Sequence, residues 1–308
     1  MKLGIVIVNW NSGAQLATAI LSIAEYVTDI SCEIVIVDNA STDQSLDQAL
    51  LVKLPETIRL STVLNDENKG FGYACNQGVR SCDGQYILFL NPDAFLHESL
   101  LPLIDFMDDP ANRKIGICGI SLIDKTGERQ RSCSRFISPF KSFSRTLGIN
   151  RFFPRLGVGM LDWDHRDLRY VDHVIGAFYF IRRDVFESLG GFDEDFFVYY
   201  EDLDLSLRAK NNGWKSFYFS SITAFHEGGG TSSQIKAKRL FYSLSSELIY
   251  LKKHFGFWRT ITPFLAIMFI EPLSRSVLSV LRLSFSDFKE LLQAYKLLYT
   301  WLIQQLRH

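Results

Sequence analysis

The sequence predicts an α/β protein, with a parallel sheet between helices and a helical extension at its C-terminal end. Three observations lead there. Short β-branched and aromatic runs recur along the first third of the 308-residue chain: LGIVIVNW (3–10), CEIVIVDN (32–39), IRLSTVLND (58–66) and YILFLNPD (86–93). The stretches between them carry apolar residues at helical spacing, as at Leu16, Ile20, Ile23 and Val27. Strands alternating with helices make a parallel sheet covered on both faces, so its strands read as apolar runs. Charge is also divided: residues 231–308 hold 11 Lys+Arg and 4 Asp+Glu, net +7, and the other 230 residues hold 22 and 30, net −8. An acidic body with a basic tail suggests two separate jobs.

Taken in order, the four runs end alike: at Asn9, at Asp38-Asn39, at Asn65-Asp66 and at Asn91-Pro92-Asp93. A buried carboxylate is costly and a proline cannot donate to a sheet ladder, so the fourth strand stops there with Asp93 at its carboxyl edge. Asx residues favour turns and helix caps, but four such endings in succession line the crevice where open α/β sheets bind ligands. A dinucleotide does not fit this crevice. The first strand is followed by NWNSGAQ with a single glycine, and Gly70-Phe71-Gly72-Tyr73-Ala74-Cys75 follows the third strand and lacks the last small residue. There is no P-loop. Five cysteines, odd in number and without a CxxC pair, point to a reducing compartment and against a disulfide framework or a zinc site. The apolar start MKLGIVIVNW is too short for a signal peptide, so a cytosolic chain is expected.

The motifs VIVNWN, VDNASTD, NKGFGYACNQG, LNPD, GAFYFIRRDVFESLGGFDEDFF, YYEDLDLSLRAKNNGW and HEGGGTS occur in that order. Together they resemble the family-two inverting glycosyltransferases, most closely the rhamnosyltransferase-like branch of bacterial surface polysaccharide synthesis. The resemblance spans about residues 1–230 and implies the GT-A nucleotide-diphospho-sugar transferase fold, whose sheet between helices is mixed and mainly parallel. It places the nucleobase and ribose of the donor against Val8, Asn9, Asp38 and Asn39. An Asx turn before a helix capped by Ser41 or Thr42 would use Asp38 and Asn39 equally well. Asn68, Lys69 and Gly70 open the next helix, where glycine lets backbone approach a ligand and a helix N-terminus favours phosphate. Lys69 would add charge there, with Asn76 farther along.

Asn91-Pro92-Asp93 stands where the family has its metal-binding DxD motif, with Asn91 replacing the first Asp. Asp93 is therefore expected to hold a divalent cation, Mg²⁺ or Mn²⁺, on the donor diphosphate, with His226 of HEGGGTS as second ligand. The acidic pair Glu201-Asp202 follows the aromatic FFVYY, and the family draws its general base from this pair. Asp202 is chosen first and Glu201 second, although carboxylates in a helix's first turn also serve as dipole partners.

Residues 128–157 hold seven Lys or Arg, one Glu and five Phe. They read as a mobile acceptor loop that meets a phosphorylated lipid carrier, or as a surface insertion without a role. The tail, 231–308, is apolar but interrupted. Its longest uncharged stretch, Thr260–Ile270, has 11 residues, against the roughly 17–25 needed to span a bilayer. It reads as a basic amphipathic region that lies on an anionic membrane surface, or packs on protein in a homo-oligomer. The expected function is inverting transfer of a sugar, L-rhamnose from dTDP-rhamnose first, onto a polyprenyl-diphosphate-linked saccharide in O-antigen or similar synthesis. It would take place at the inner face of the cell membrane and without nucleic acid. A UDP-hexose donor, or a noncatalytic sugar-nucleotide-binding scaffold, are the alternatives.

Overall fold

In the computed structural model, residues 2–160, 162–228 and 235–305 are described. The residues after His226 and Glu227 that complete HEGGGTS, from 229 onward, lie outside them. The chain divides into two compact units: 1–136, 163–197 and 201–230 form one, and 137–162, 198–200 and 231–308 form the other.

The first unit is a sheet between helices. In chain order it holds β1 (Leu3–Asn9), α1 (Gln15–Tyr26), β2 (Cys32–Asp38), α2 (Ser45–Leu50), β3 (Ile58–Leu64), α3 (Phe71–Arg80), β4 (Tyr86–Leu90), β5 (Ala94–Leu96), α4 (Leu101–Asp108), β6 (Ile115–Ile123) and β7 (Cys133–Ser134). After the first excursion into the other unit come β8 (Arg169–Val171), β9 (His173–Val174), β10 (Phe178–Arg182), α6 (Arg183–Ser188), α7 (Glu201–Asn211) and β11 (Lys215–His226), α5 belonging to the second unit. The sheet order is β3-β2-β1-β4-β10-β6-β11-β5, with β8 also on β11. Strands β3, β2, β1 and β4 run parallel, β10 is antiparallel to β4 and β6, and β11 is parallel to β6. This is the mixed, mainly parallel sheet expected. Its central strands β1 and β4 are buried at every position, whereas the edge strand β3 alternates. Leu16, Ile20, Ile23 and Val27 pack from α1 and its end into the same core as Ile5, Ile34 and Leu88. All five cysteines are free and buried.

The second unit is helical: α5 (Pro139–Thr146), α8 (Lys236–Leu265), a π-helical turn (Ala266–Ile270), α9 (Glu271–Leu281) and α10 (Phe285–Gln305). Gly256, at φ 77°, breaks α8 into two helices. Its core joins Leu244, Leu248, Ile267, Met268, Leu291, Tyr295 and Leu298. The Tyr295 hydroxyl donates to the Ile267 carbonyl at 2.8 Å, which satisfies a group in the π turn. Residues 137–157 of the segment 128–157, expected from sequence to be a mobile acceptor loop, belong to this unit. Ser138 accepts from the Lys141 amide and caps α5. Ser142 on that helix donates to Glu247 Oε1 at 2.6 Å, and Arg145 pairs with Glu247 Oε2.

Glu247 is fully buried, so removing it strands Arg145, and breaking a buried pair costs about 3–5 kcal/mol. Glu247→Ala is expected at the lower end of that range, because the Arg145 side chain is 35% exposed and can turn to water. Urea denaturation followed by circular dichroism checks this; an unchanged midpoint would show that the pair does not hold α5 on α8.

Candidate active site

The polar strand ends meet at one edge of the first unit. Parallel register sets Asn9 beside Asp38, and Asn9 Nδ2 donates to Asp38 Oδ1 at 2.7 Å. The second Asp38 oxygen accepts the Ser41 amide at 2.9 Å, the Asx geometry that the sequence allows. Asn9 Nδ2 also reaches Ser45 Oγ, and Asn9 Oδ1 accepts from Ser12. Asn39 Nδ2 donates to the Gly70 carbonyl at 3.1 Å, and its Oδ1 accepts from Asn65 at 2.8 Å. The loops after β1, β2 and β3 are thereby laced together.

This lacing changes the part that several residues play. Asn9 is fully buried beside Asp38, and its side-chain amide bonds to Asp38 and Ser45 of the protein itself. Val8 is buried beneath it. Asn76, expected at the donor, donates to the Phe192 carbonyl and Glu194 and accepts the Phe192 amide, so it pins the 191–194 loop. Gly70 has φ +93°, and a Cβ there would collide with the Phe197 carbonyl. That carbonyl accepts the Phe71 amide at 2.7 Å. The close approach that requires glycine is therefore to Phe197, and the first amide of α3 is not free for phosphate. Asn68 Oδ1 accepts the Gly70 amide, and Lys69 lies 5.3 Å over the Tyr73 ring.

Asp93 follows β4 in a turn closed by the Ala94 amide donating to Asn91 O. The turn is fixed from both sides. The Asn91 amide donates to the Ala177 carbonyl, just before β10, and the Glu227 amide donates to the Asp93 carbonyl. Antiparallel register opposes His226 to Ala94, and His226 Nε2 lies 3.6 Å from Asp93 Oδ1. Gln130 Nε2 donates to the His226 carbonyl. That orients the Gln130 amide, whose Oε1 then accepts from His226 Nδ1 at 2.8 Å. Burial lowers the affinity of His226 for a second proton, and Asp93 opposes that effect. In the neutral ring Nε2 is thus an electron-pair donor facing a carboxylate, an arrangement that suits a cation. Among the described residues no cluster of three or more His, Cys, Asp or Glu side chains forms a metal site.

The acidic pair opens α7 and divides. Glu201 is buried, its Oε2 has no hydrogen-bond partner among the described residues, and burial followed by the Asp202 charge pushes its pKa well up. Asp202 is also enclosed, but its Oδ2 accepts the Gly176 amide at 2.8 Å and its Oδ1 the Leu203 amide at 2.8 Å. Burial alone would raise its pKa; His173, whose Nε2 is 3.2 Å from Oδ2, and these amides outweigh it and bring it below the usual range. Gly176 adjoins Ala177, the partner of Asn91, so Asp202 and Asp93 share one sheet edge. Neither His173 nor Gln130 belongs to a motif of the sequence, whereas Gly176 opens GAFYF. A histidine three residues before a glycine carries no motif, and only tertiary pairing brings it to the carboxylate.

A family model described as "Glycosyl transferase family 2" matches residues 4–190. The chain belongs to that family, and its fold is GT-A. It is similar, at 27% identity over 83% of this chain and 86% of the relative, to the N-acetylglucosaminyl-diphospho-decaprenol L-rhamnosyltransferase of Mycobacterium tuberculosis. It is 30% identical to rhamnosyltransferase WbbL of Escherichia coli over 60% of this chain and 70% of that one. The mannosyltransferase PcManGT of Pyrobaculum calidifontis, solved with GDP-Man and Mn²⁺, shares the fold with a TM-score of 0.53 and 16% identity, covering 99% of this chain and 87% of that chain. The acidic pair and His226 lie beyond the matched family segment.

The two shifts at the pair have opposite consequences for stability. Glu201 is raised above its ordinary 4.5, so its contribution is present below that value and lost as pH rises through the folded one. Asp202 is lowered from 3.8, so its contribution is present above that value and lost as pH falls. Glu201→Gln, which cannot ionise, is expected to flatten the decline in stability between about pH 5 and about pH 8. Chemical denaturation at both values checks this, and a decline as steep as wild type counts against a protonated Glu201.

Proposed function

We propose that this glycosyltransferase inverts the anomeric centre as it moves L-rhamnose from dTDP-rhamnose onto a polyprenyl-diphosphate-linked saccharide. The observation that carries the reading is the meeting of Asp38, Asp93 with His226, and Asp202 at one carboxyl edge. The choice of rhamnose and of a lipid-linked acceptor rests on the similarity to the rhamnosyltransferases named above.

In this reading Asp38, Asn39 and Asn68 border the nucleoside, and Asn91 and Lys69 flank the diphosphate. Asp93 and His226 Nε2 would hold Mg²⁺ or Mn²⁺, which when bound neutralises charge on the leaving diphosphate. Asp202 takes the proton of the acceptor hydroxyl as that oxygen bonds to the anomeric carbon. The bond from that carbon to the phosphate oxygen breaks, and the nucleoside diphosphate leaves with the electron pair. Glu201, neutral and enclosed, shapes the wall behind Asp202.

The helical unit suits an anionic lipid surface. Leu265, Phe269, Leu273, Val277 and Leu281 are exposed at four-residue spacing, each a neighbour of the next on the helix surface, and Trp258 is 82% exposed. Arg259, Arg275 and Arg282 lie in the same stretch. By length and composition the helix 236–281 is also apolar enough to cross a membrane. The break at Gly256 and the arginines favour lying in the interface, where each basic residue near the surface contributes about 1 kcal/mol.

Asp202→Asn is expected to keep donor affinity near wild type while turnover falls by about 10²–10⁴; a retained product anomer, or unchanged turnover, would overturn the reading. Asp93→Ala should abolish the metal-dependent part of donor binding by calorimetry, and full activity in EDTA would remove the cation. For the surface, replacing Phe269, Leu273 and Val277 by Ser should release the protein from sedimenting vesicles of anionic phospholipid. Equal sedimentation of variant and wild type would assign that face to protein packing.

A further inference from the structure

Asp202 is the base only if its carboxylate is held in place, and what holds it is unusual. Oδ2 is flanked by two donors, the Gly176 amide at 2.8 Å and His173 Nε2 at 3.2 Å. His173 is 5% exposed. Its Nε2 has no regular hydrogen bond in the resting geometry, although the carboxylate lies beside it. The other ring nitrogen, Nδ1, is 2.9 Å from Ser134 Oγ, and Ser134 is the cross-strand partner of His173 in the β7–β9 ladder. A carboxylate can only accept, so Nε2 is the ring nitrogen that presents a proton to Asp202, and Nδ1 meets the Ser134 hydroxyl.

We infer that His173 is a positioning residue for catalysis, which, with Ser134 behind it, anchors Asp202 Oδ2 and leaves Oδ1 to receive the acceptor proton. The count of lone pairs selects the oxygen. A carboxylate offers about four acceptor sites. The Gly176 amide donates to Oδ2 and His173 Nε2 stands 3.2 Å from that same oxygen, whereas Oδ1 carries only the Leu203 amide. An imidazole on a two-residue strand paired with β7 is a stiff support, and a catalytic carboxylate displaced by about 1 Å can lose about 10²-fold in rate. The relation copies the support that a carboxylate usually gives a catalytic histidine, with the two roles exchanged.

The inference rests on Asp202 being the base, and the experiment separates the two. Turnover and donor affinity are measured for His173→Leu, His173→Gln and Asp202→Asn on the full-length chain. His173→Leu is expected to lower kcat by about 10–100-fold, part of the rate a positioned base supplies, with donor Kd within about twofold of wild type. His173→Gln, which returns a donor near Nε2, is expected to recover most of that loss, an outcome that a purely structural histidine would not give. Wild-type kcat in a folded His173→Leu, or loss of donor affinity in step with kcat, overturns the positioning role. If His173→Leu fails to fold, His173→Gln and Ser134→Ala decide: wild-type kcat in Ser134→Ala with an inactive, folded His173→Gln also overturns it. A fully active Asp202→Asn removes both the base and its support, whereas an inactive Asp202→Asn beside a fully active His173→Leu removes the support alone.

Discussion

The carboxyl edge of the sheet is governed by one constraint: strands buried on both faces can end in polar residues only where each polar atom finds a partner. β1 and β2 end in register at Asn9 and Asp38, and the amide of one satisfies the carboxylate of the other. That pair then organises the loops around it. Ser41 and Ser45 close on it from the loop after β2, and the Asn39 amide donates back to the Asn9 carbonyl. Asn39 in turn carries the loop after β3 through Asn65 and Gly70. The crevice is thus rigid before any ligand arrives.

The strands were legible because their signal is local. Burial on both faces demands continuous apolar runs, and the four predicted runs end within two or three residues of the observed strands. The position of Asp93 at an edge was equally legible, since proline and a carboxylate each forbid a continued buried strand. Which Asx residues bond within the protein was not legible, because Asn9 and Asn76 have the same composition signal as ligand contacts and differ only in whom they meet. Asn76 meets Phe192 across 116 residues of sequence. Gly70 shows the same ambiguity: glycine signals a close backbone approach without naming the partner, and here Phe197 makes it. His173 and Gln130 act on Asp202 and His226 through tertiary contacts, and no spacing in the chain announces them.

The helical unit shows how basic residues and a buried acid coexist. Its net charge of +7 over 231–308 is carried mostly at the surface, but Glu247 sits at its centre with no exposure. Arg145 and Ser142, which come from the segment 137–162, complete it. This is why that segment, too basic for a core on composition alone, folds as a capped helix. The same network holds the backbone of residues 198–200. Arg145 donates to the Tyr200 hydroxyl at 3.3 Å and Ser246 to the Val198 carbonyl at 2.9 Å. Tyr199 and Tyr200 have φ of 69° and 71°, a region that costs a residue with a side chain roughly 1–3 kcal/mol and persists only where neighbours enforce it. The residues leading into the acidic pair are therefore held, not floppy.

Glu201 and Asp202 are adjacent in sequence, charge and burial, yet the helix they open separates their fates. Successive residues of an α-helix point about 100° apart. Glu201 turns toward Gly72 and Cys75 of α3, where its charge would also raise the Cys75 thiol. Among the described residues no donor meets its Oε2 there, and an unpaired carboxylate in such a place is stable only as the neutral acid. Asp202 turns toward the sheet edge, where two backbone amides and an imidazole meet it, and it remains charged. Mutual repulsion widens the split, since each negative charge makes the other harder to form. One residue of a matched pair is thus driven to hold a proton and its neighbour to lack one. For a group that must accept a proton from a hydroxyl, lacking one beforehand is the first requirement, and Asp202 meets it.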